Sequence, residues 1–272
     1  MRIDKKKVFC ELLNNELPEP QQLISELFKS FDIRVRQLNA NVTMGALNNA
    51  HGDWYEWLIG IAAWNYCIDN PGSYLTIPLP NVTQFDIATL YREDIKLIIQ
   101  ELRDSVESRA SVSLITSNPD FVIINPEKLN FSYDKSNKIT HLDISRINII
   151  DNLYSQFIGK CNIEDIIGYA SIKTSLRPDR RLQIPHEGSL MKAIYARIQN
   201  DKGILNPPGL KYYAISTKVG EADRKALRTV ATHSIANVDS QPQAAVDSVH
   251  TVNSLAEAIV VFDDILKSNS VF

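Results

Sequence analysis

One segment constrains the fold more than any other, a nearly continuous apolar run from Asp53 to Tyr66 with the sequence DWYEWLIGIAAWNY. A helix on a protein surface keeps one polar face, so this breadth predicts a helix buried on most sides, with Asp53 as a candidate N-cap. The run is shorter than the ~20 apolar residues of a membrane span. The sequence therefore predicts a globular chain whose tryptophans, all of them on this helix, pack in the core rather than stack on nucleic-acid bases.

Composition and charge limit the classes of protein to which this chain can belong. The 272 residues carry no internal repeat and no Pro/Gly/Ser-rich linker, so we expect a single domain over 1–272. A net charge of -3 argues against purely charge-driven DNA binding but is compatible with a specific nuclease, whose carboxylates lower the total. Cys10, Cys67 and Cys161 form no C-x-x-C pair, which predicts buried reduced thiols. The N-terminus lacks the apolar run of a signal peptide, and we expect a cytoplasmic protein.

Hydrophobic periodicity predicts helices alternating with strands. The helices are predicted over Leu17–Asp32, Asp53–Tyr66, Glu93–Ser108, Asp143–Ile158, His186–Gln199 and Ser254–Lys267. The strands are predicted over Tyr74–Leu79, Ser111–Thr116, Phe121–Ile124, Tyr169–Leu176 and Lys211–Lys218. This alternation indicates an α/β fold with a mixed central sheet flanked by helices.

Two strands carry residues suited to metal-assisted phosphodiester hydrolysis. Many nucleases place an acid at a strand start (P-D) and an acid plus lysine (D/E-x-K) on a neighbouring strand, to hold a metal ion and position water. Here Pro119-Asp120 opens one strand, and Ser171 and Lys173 share a face of the next. The acid two residues before the lysine is missing, and P-D also occurs in ordinary turns. These residues alone leave the function open.

The segment after Lys173 offers both an acid and base-reading groups. Glu187 follows on the next predicted helix and could supply the missing acid; alternatively it only complements the helix dipole. Arg177, Asp179 and Arg180 suit the hydrogen-bonding edges of G·C pairs. Their alternative interpretation is a solvated turn with an internal Arg–Asp ion pair.

Five segments together resemble a known family. The chain is similar to the type II restriction endonucleases of the CCGG group, in the branch that cuts purine-CCGG-pyrimidine. The resemblance runs from Gly52 into the C-terminal region, while the first 40 residues match weakly. It is carried by GDWYEWLIGI from Gly52, PNVTQFD from Pro80, LITSNPDFVII from Leu114, KTSLRPDRRLQIPHEGSLMKA from Lys173, and KYYAIS with VATHSIANV from Val230.

The resemblance implies a restriction-endonuclease-like PD-(D/E)xK core in which the second acid has moved to the following helix. Asp120, Lys173 and Glu187 would form the active site, with Glu56 as a nearby additional acid. Asp120 and Glu187 would hold Mg²⁺, and Lys173 would orient or activate the attacking water. Ser171 would occupy the vacated acid position. Glu56 has an alternative role, because a carboxyl on an apolar helix can simply satisfy a core hydrogen bond.

The resemblance also implies a substrate and a product. Arg177, Asp179 and Arg180 would read C·G pairs of double-stranded DNA in the major groove, and residues 48–51 or the loop around Asn81 would read the outer pair. The expected cut falls before the first C and leaves a four-base 5′ overhang.

A palindromic site matches a homodimer. The resemblance also allows a homotetramer, because members of this branch are usually dimers of dimers. Gly203 stands where relatives carry a tryptophan at the tetramer contact, which puts the homotetramer in doubt, though other contacts could replace that one. Three other functions stay open: a catalytically silent sequence-specific DNA-binding protein, a structure-selective repair nuclease, and an α/β protein with accidental matches. They predict, in turn, DNA binding without cleavage, cleavage without regard to CCGG, and no DNA affinity.

Overall fold

A mixed sheet forms the centre of the molecule. The computed structural model describes residues 4–80, 85–115, 118–205, 209–235 and 242–267. Within these ranges the sheet has five strands in the order β1-β2-β3-β4-β5, antiparallel from β1 to β3 and parallel from β3 to β5. The predicted mixed sheet is thus confirmed. Its strands are β1 Leu75–Pro78, β2 Phe121–Ile124, β3 Ile166–Lys173, β4 Lys211–Ser216 and β5 Ser248–Thr251.

Helices flank this sheet, and α3 and α6, described below, carry most of the candidate site. No helix in the described part of the chain is long and apolar enough to cross a membrane. The helices are α1 Lys5–Leu12, α2 Ile24–Leu38, α3 Met44–Asp69, α4 Glu93–Ala110, α5 Ile144–Asn152, α6 Pro178–Lys202, α7 Glu221–Leu227, α8 Thr232–Ile235 and α9 Leu255–Ile265.

The apolar helix α3 is buried as predicted but begins earlier. Its N-cap is Thr43, whose hydroxyl accepts a hydrogen bond from the Ala46 amide at 3.2 Å. The prediction that Asp53 caps the helix is wrong, because Asp53 lies in mid-helix and pairs with Lys5 of α1. The first turns hold only two buried apolar residues, Leu47 and Ala50, among asparagines and glycines, and they were not predicted as part of the helix.

The tryptophans of α3 pack in the core, as predicted, and also tie the helix to its surroundings. All three are buried, and each indole N–H donates to a different segment. The donor–acceptor pairs are Trp54 with the Lys5 carbonyl at 3.1 Å, Trp57 with Asp151 at 2.9 Å, and Trp64 with the Asn137 carbonyl at 2.8 Å. The three cysteines are buried and free, which confirms the expectation of reduced thiols.

Helix α6 extends the predicted helix at both ends. It begins at Pro178, where a missing amide proton costs nothing, and ends at Gly203. Gly203 takes the left-handed conformation, with φ +63°, that closes a helix end. This cap supplies a conformational reason for glycine at that position.

The strand predicted over Ser111–Thr116 is wrong. Residues 111–115 form no strand, and Ser111 instead closes α4 in a left-handed conformation with φ 54°. Strand β5 and helices α1, α7 and α8 were not predicted, because each spans only four to eight residues, too few for a clear apolar period.

Candidate active site

The register of the sheet brings Asp120 beside Lys173. Phe121 of β2 pairs with Ala170 of β3, so Asp120 lies opposite Ser171. The Asp120 carboxylate accepts hydrogen bonds from the Lys173 ammonium at 2.6 and 2.7 Å, from the Ile172 amide at 2.6 Å and from the Ser171 hydroxyl at 3.2 Å. Both side chains of this ion pair are largely buried, at 11% exposure for Asp120 and 18% for Lys173. The predicted arrangement, with an acid and a lysine on neighbouring strands, is therefore present.

Glu187 reaches the sheet from the interior of α6. Because it lies in the third turn, its carboxylate is outside the first-turn range over which the helix dipole acts. The residue is 5% exposed and accepts hydrogen bonds from Gln183 Nε2 at 2.7 Å and from the Tyr212 hydroxyl at 2.9 Å. Burial raises the pKa of Glu187 above its ordinary value, although these two donors oppose the shift. The structure thus holds a buried acid that interacts electrostatically with Asp120 and Lys173, which local sequence spacing did not supply.

Glu56 of α3 lies in the same electrostatic environment. Burial, together with the negative charge of Asp120, raises the pKa of the Glu56 carboxyl to about 8, while the Lys173 ammonium opposes the rise. Asp120 and Lys173 act with the same signs on Glu187. The four predicted residues therefore interact electrostatically: the Asp120 carboxylate contacts the Lys173 ammonium, and the charges of both act on Glu56 and Glu187.

This group suits a hard divalent cation. Its candidate ligands are carboxylate oxygens, and Mg²⁺ is usually held by one or two carboxylates together with waters and substrate phosphate. Among the described residues no three or more His, Cys, Asp or Glu side chains are arranged as a complete metal cage. Burial raises the pKa of the Glu56 and Glu187 carboxyls, and a bound cation would favour their ionised forms. The residues fit magnesium bound partly through its substrate.

One cleft is lined by two of the catalytic candidates and by two of the predicted base readers. Its lining includes Glu56 and Lys173 together with Arg177, Arg180, Asn48 and Asn49. The arginines lie at the start of α6, directly after the turn that leaves β3. Asn81, the other predicted reader of an outer base pair, lies outside the described residues.

The side chains predicted to read bases are paired with protein groups in this structure. Arg177 contacts Asp179 at 3.0 Å and Arg180 donates to Gln183 Oε1 at 2.6 Å. The internal Arg–Asp pair that the sequence allowed is thus present. Solvent screens an ion pair at an exposed surface, so little opposes its exchange for another partner.

Neighbouring Arg181 plays a different part. Its guanidinium contacts Asp223 of α7 at 2.6 Å, and the Asp223 side chain is only 11% exposed. This contact fixes α7 against the first turn of α6.

Sequence reasoning missed three residues at the site. Gln183 and Tyr212 bond Glu187, and Lys5 reaches the cleft from α1. The spacing of Gln183, four residues before Glu187, was readable on a helix. The contacts of Tyr212 and Lys5 depend on tertiary packing and left no local signal.

Comparison with known proteins identifies the family. Over residues 1–268 the chain matches the family described as Cfr10I/Bse634I restriction endonuclease. This chain belongs to that family. The type II restriction enzyme Cfr10I of Citrobacter freundii is 42% identical over 236 residues, covering 85% of this chain and 82% of Cfr10I.

Solved structures agree with this assignment to the Cfr10I/Bse634I family. The type IIF restriction endonuclease Bse634I with cognate DNA superposes with a TM-score of 0.91 at 32% identity, covering 98% of this chain and 93% of that one. A second Bse634I structure gives 0.87 at 33% identity, covering 97% and 92%. Family membership confirms both the predicted fold class and the predicted enzyme class, a restriction endonuclease.

Proposed function

We propose that this restriction endonuclease hydrolyses double-stranded DNA at purine-CCGG-pyrimidine, before the first C, and leaves four-base 5′ overhangs. Mg²⁺ is the proposed cofactor, a homodimer the proposed active form, and residues 1–272 a single endonuclease domain. The cleft that contains both Lys173 and the arginines Arg177 and Arg180 is the main support for this proposal. It would place a scissile phosphate and the neighbouring base edges in reach of one surface.

The proposed chemistry divides among four side chains. Asp120 and Glu187 provide carboxylate oxygens for the cation, and Glu56 adds a third acid beside them. When bound, Mg²⁺ supplies positive charge that offsets the charge of the phosphate in the transition state. The Lys173 ammonium, which pairs with Asp120 at 2.6 Å, would contact the phosphate and orient the attacking water.

Recognition is assigned to the start of α6. Arg177 and Arg180 can each donate two hydrogen bonds to guanine O6 and N7, and Asp179 can accept from cytosine N4. Bse634I, whose fold this chain shares, has been solved with its cognate DNA, which supports a DNA-binding role for the matching surface here. A palindromic target presents two equivalent half-sites, and a twofold dimer places one active site on each strand.

The test is cleavage of a plasmid with mapped CCGG sites, with Mg²⁺ and with EDTA, followed by sequencing of the fragment ends. We expect discrete Mg²⁺-dependent fragments with CCGG overhangs, and the flanking bases then define the outer specificity. Binding to CCGG DNA without cleavage under any divalent metal would instead establish a silent DNA-binding protein. Cleavage unrelated to CCGG would contradict the assignment of Arg177, Asp179 and Arg180.

A further inference from the structure

Two consecutive hydrogen bonds connect the base-reading turn to the active site. Arg180 Nη1 donates to Gln183 Oε1 at 2.6 Å, and Gln183 Nε2 donates to Glu187 Oε1 at 2.7 Å. The spacings of three and four residues place these side chains on one face of α6. A single amide therefore touches both a predicted base reader and a predicted metal ligand.

The chemistry of the three groups fixes which atom of the Gln183 amide faces each neighbour. A guanidinium only donates hydrogen bonds, and an ionised carboxylate only accepts them. Gln183 must therefore turn its carbonyl to Arg180 and its NH₂ to Glu187. Both hydrogen bonds involve a charged group, so each is stronger than a bond between neutral partners. The orientation of the Gln183 amide thus depends on where the Arg180 guanidinium lies.

We propose that Gln183 is a positioning residue that couples base reading by Arg180 to cation binding by Glu187; this inference rests on the function proposed above. When Arg180 donates to a guanine instead, the Gln183 carbonyl loses its charged partner. The amide is then free to release Glu187 Oε1, and that oxygen becomes available to a divalent cation. By linkage, the correct sequence and the cation strengthen each other's binding.

Tyr212 also bonds Glu187 but, unlike Gln183, makes no hydrogen bond to Arg180 in the described part of the chain. Its hydroxyl holds the other carboxylate oxygen, Glu187 Oε2, at 2.9 Å from the buried strand β4. In the described structure this hydroxyl has no hydrogen bond to the base-reading turn, so it should support Glu187 equally on every DNA sequence. Tyr212→Phe is therefore a matched control that removes a donor to the same carboxylate without breaking the connection to Arg180.

The test measures DNA affinity rather than cleavage. Dissociation constants are determined in Ca²⁺ and in EDTA for a CCGG duplex and for one with a guanine of CCGG replaced by adenine. For each duplex, the gain is the dissociation constant in EDTA divided by the dissociation constant in Ca²⁺. In the parent the gain should be at least about tenfold larger for CCGG, the effect of one hydrogen bond to a charged group. In Gln183→Met the two gains should become equal, whereas Tyr212→Phe should change both gains by the same factor.

Several outcomes would overturn the proposal. One is a Gln183→Met protein in which the gain for CCGG still exceeds the gain for the altered duplex by the same ratio as in the parent. Another is a Tyr212→Phe protein in which the two gains become equal. Gln183 is exposed, so its replacement should not impair folding. Gln183→Glu keeps the acceptor for Arg180 but lacks the donor to Glu187, so its gains for the two duplexes must also be equal. If the parent prefers CCGG but its two gains are equal, the coupling alone fails. If the parent shows no preference for CCGG, the proposed function fails.

Discussion

Replacing Gly188 by alanine tests whether close packing of α6 sets the position of Glu187. A Cβ at Gly188 would lie 2.2 Å from the Ala245 carbonyl oxygen and 3.1 Å from Tyr212 Cδ1. Real Cβ contacts below 3.0 Å are essentially never seen, and Ala245 is a fully buried residue whose amide is bonded to the Thr229 carbonyl. The helix and this segment must therefore separate by about 1 Å, as in other overpacked cores.

The expected cost follows from two opposing effects. Alanine in a helix interior is about 1 kcal/mol more favourable than glycine, while a 2.2 Å contact with a backbone carbonyl puts the cost of overpacking in the upper part of its usual range, about 2–3 kcal/mol. The net loss of about 1–2 kcal/mol corresponds to a melting temperature roughly 2–8 °C lower in a chain of this size. Because Glu187 precedes Gly188, a displacement near 1 Å should also reduce cleavage on the order of 100-fold.

Thermal unfolding and single-turnover cleavage measure the two effects. Gly52→Ala is the control for stability, because Gly52 also lies in a helix interior but has no atom within 4 Å of its ideal Cβ. That variant should melt about 2–4 °C above the parent. The reasoning is refuted if Gly188→Ala melts at or above the parent temperature, or if it cleaves DNA at the parent rate.

Three further predictions concern the charged groups. Asp120→Asn should abolish Mg²⁺-dependent cleavage while retaining binding to CCGG duplexes in a gel-shift assay; retained cleavage would remove Asp120 from the site. Since the pKa of Glu56 is raised from 4.5 to about 8, its contribution to stability is complete below pH 4.5 and lost as pH rises to about 8. In EDTA, Glu56→Gln should therefore remove part of the fall in urea midpoint between pH 5 and pH 8; parallel curves for the two proteins would contradict this. Arg177→Ala should weaken binding to CCGG duplexes by about 1–3 kcal/mol, with little change on duplexes lacking the site, as measured by fluorescence anisotropy.

Local pattern sufficed for one half of the site. A strand opened by Pro119-Asp120 and a period of two through Ser171 and Lys173 correctly predicted an acid and a lysine on adjoining strands. Those features depend only on backbone geometry, which short sequences encode well. Hydrophobic periodicity likewise predicted four of the five described strands, β1 to β4, and the continuous apolar run predicted the buried helix α3.

The other half of the site depends on tertiary contacts. Glu187 was placed at a helix start, whereas α6 begins at Pro178, and only the family resemblance assigned this acid to the active site. The raised pKa of Glu56 arises from burial and from the charge of Asp120, which is distant in sequence. The role of Tyr212 requires β4 to lie beneath α6. No local pattern contains that information.

Helix α3 gives the protein a built-in optical probe. Trp54, Trp57 and Trp64 are the only tryptophans in the chain, and all three lie buried on the helix that carries Glu56. Intrinsic fluorescence therefore reports the surroundings of this one helix, whereas circular dichroism averages over the whole backbone. An emission change that precedes loss of the dichroism signal would identify loosening around α3 as the first step of unfolding. Emission changes on adding DNA would likewise report on the Glu56 side of the cleft without any attached label.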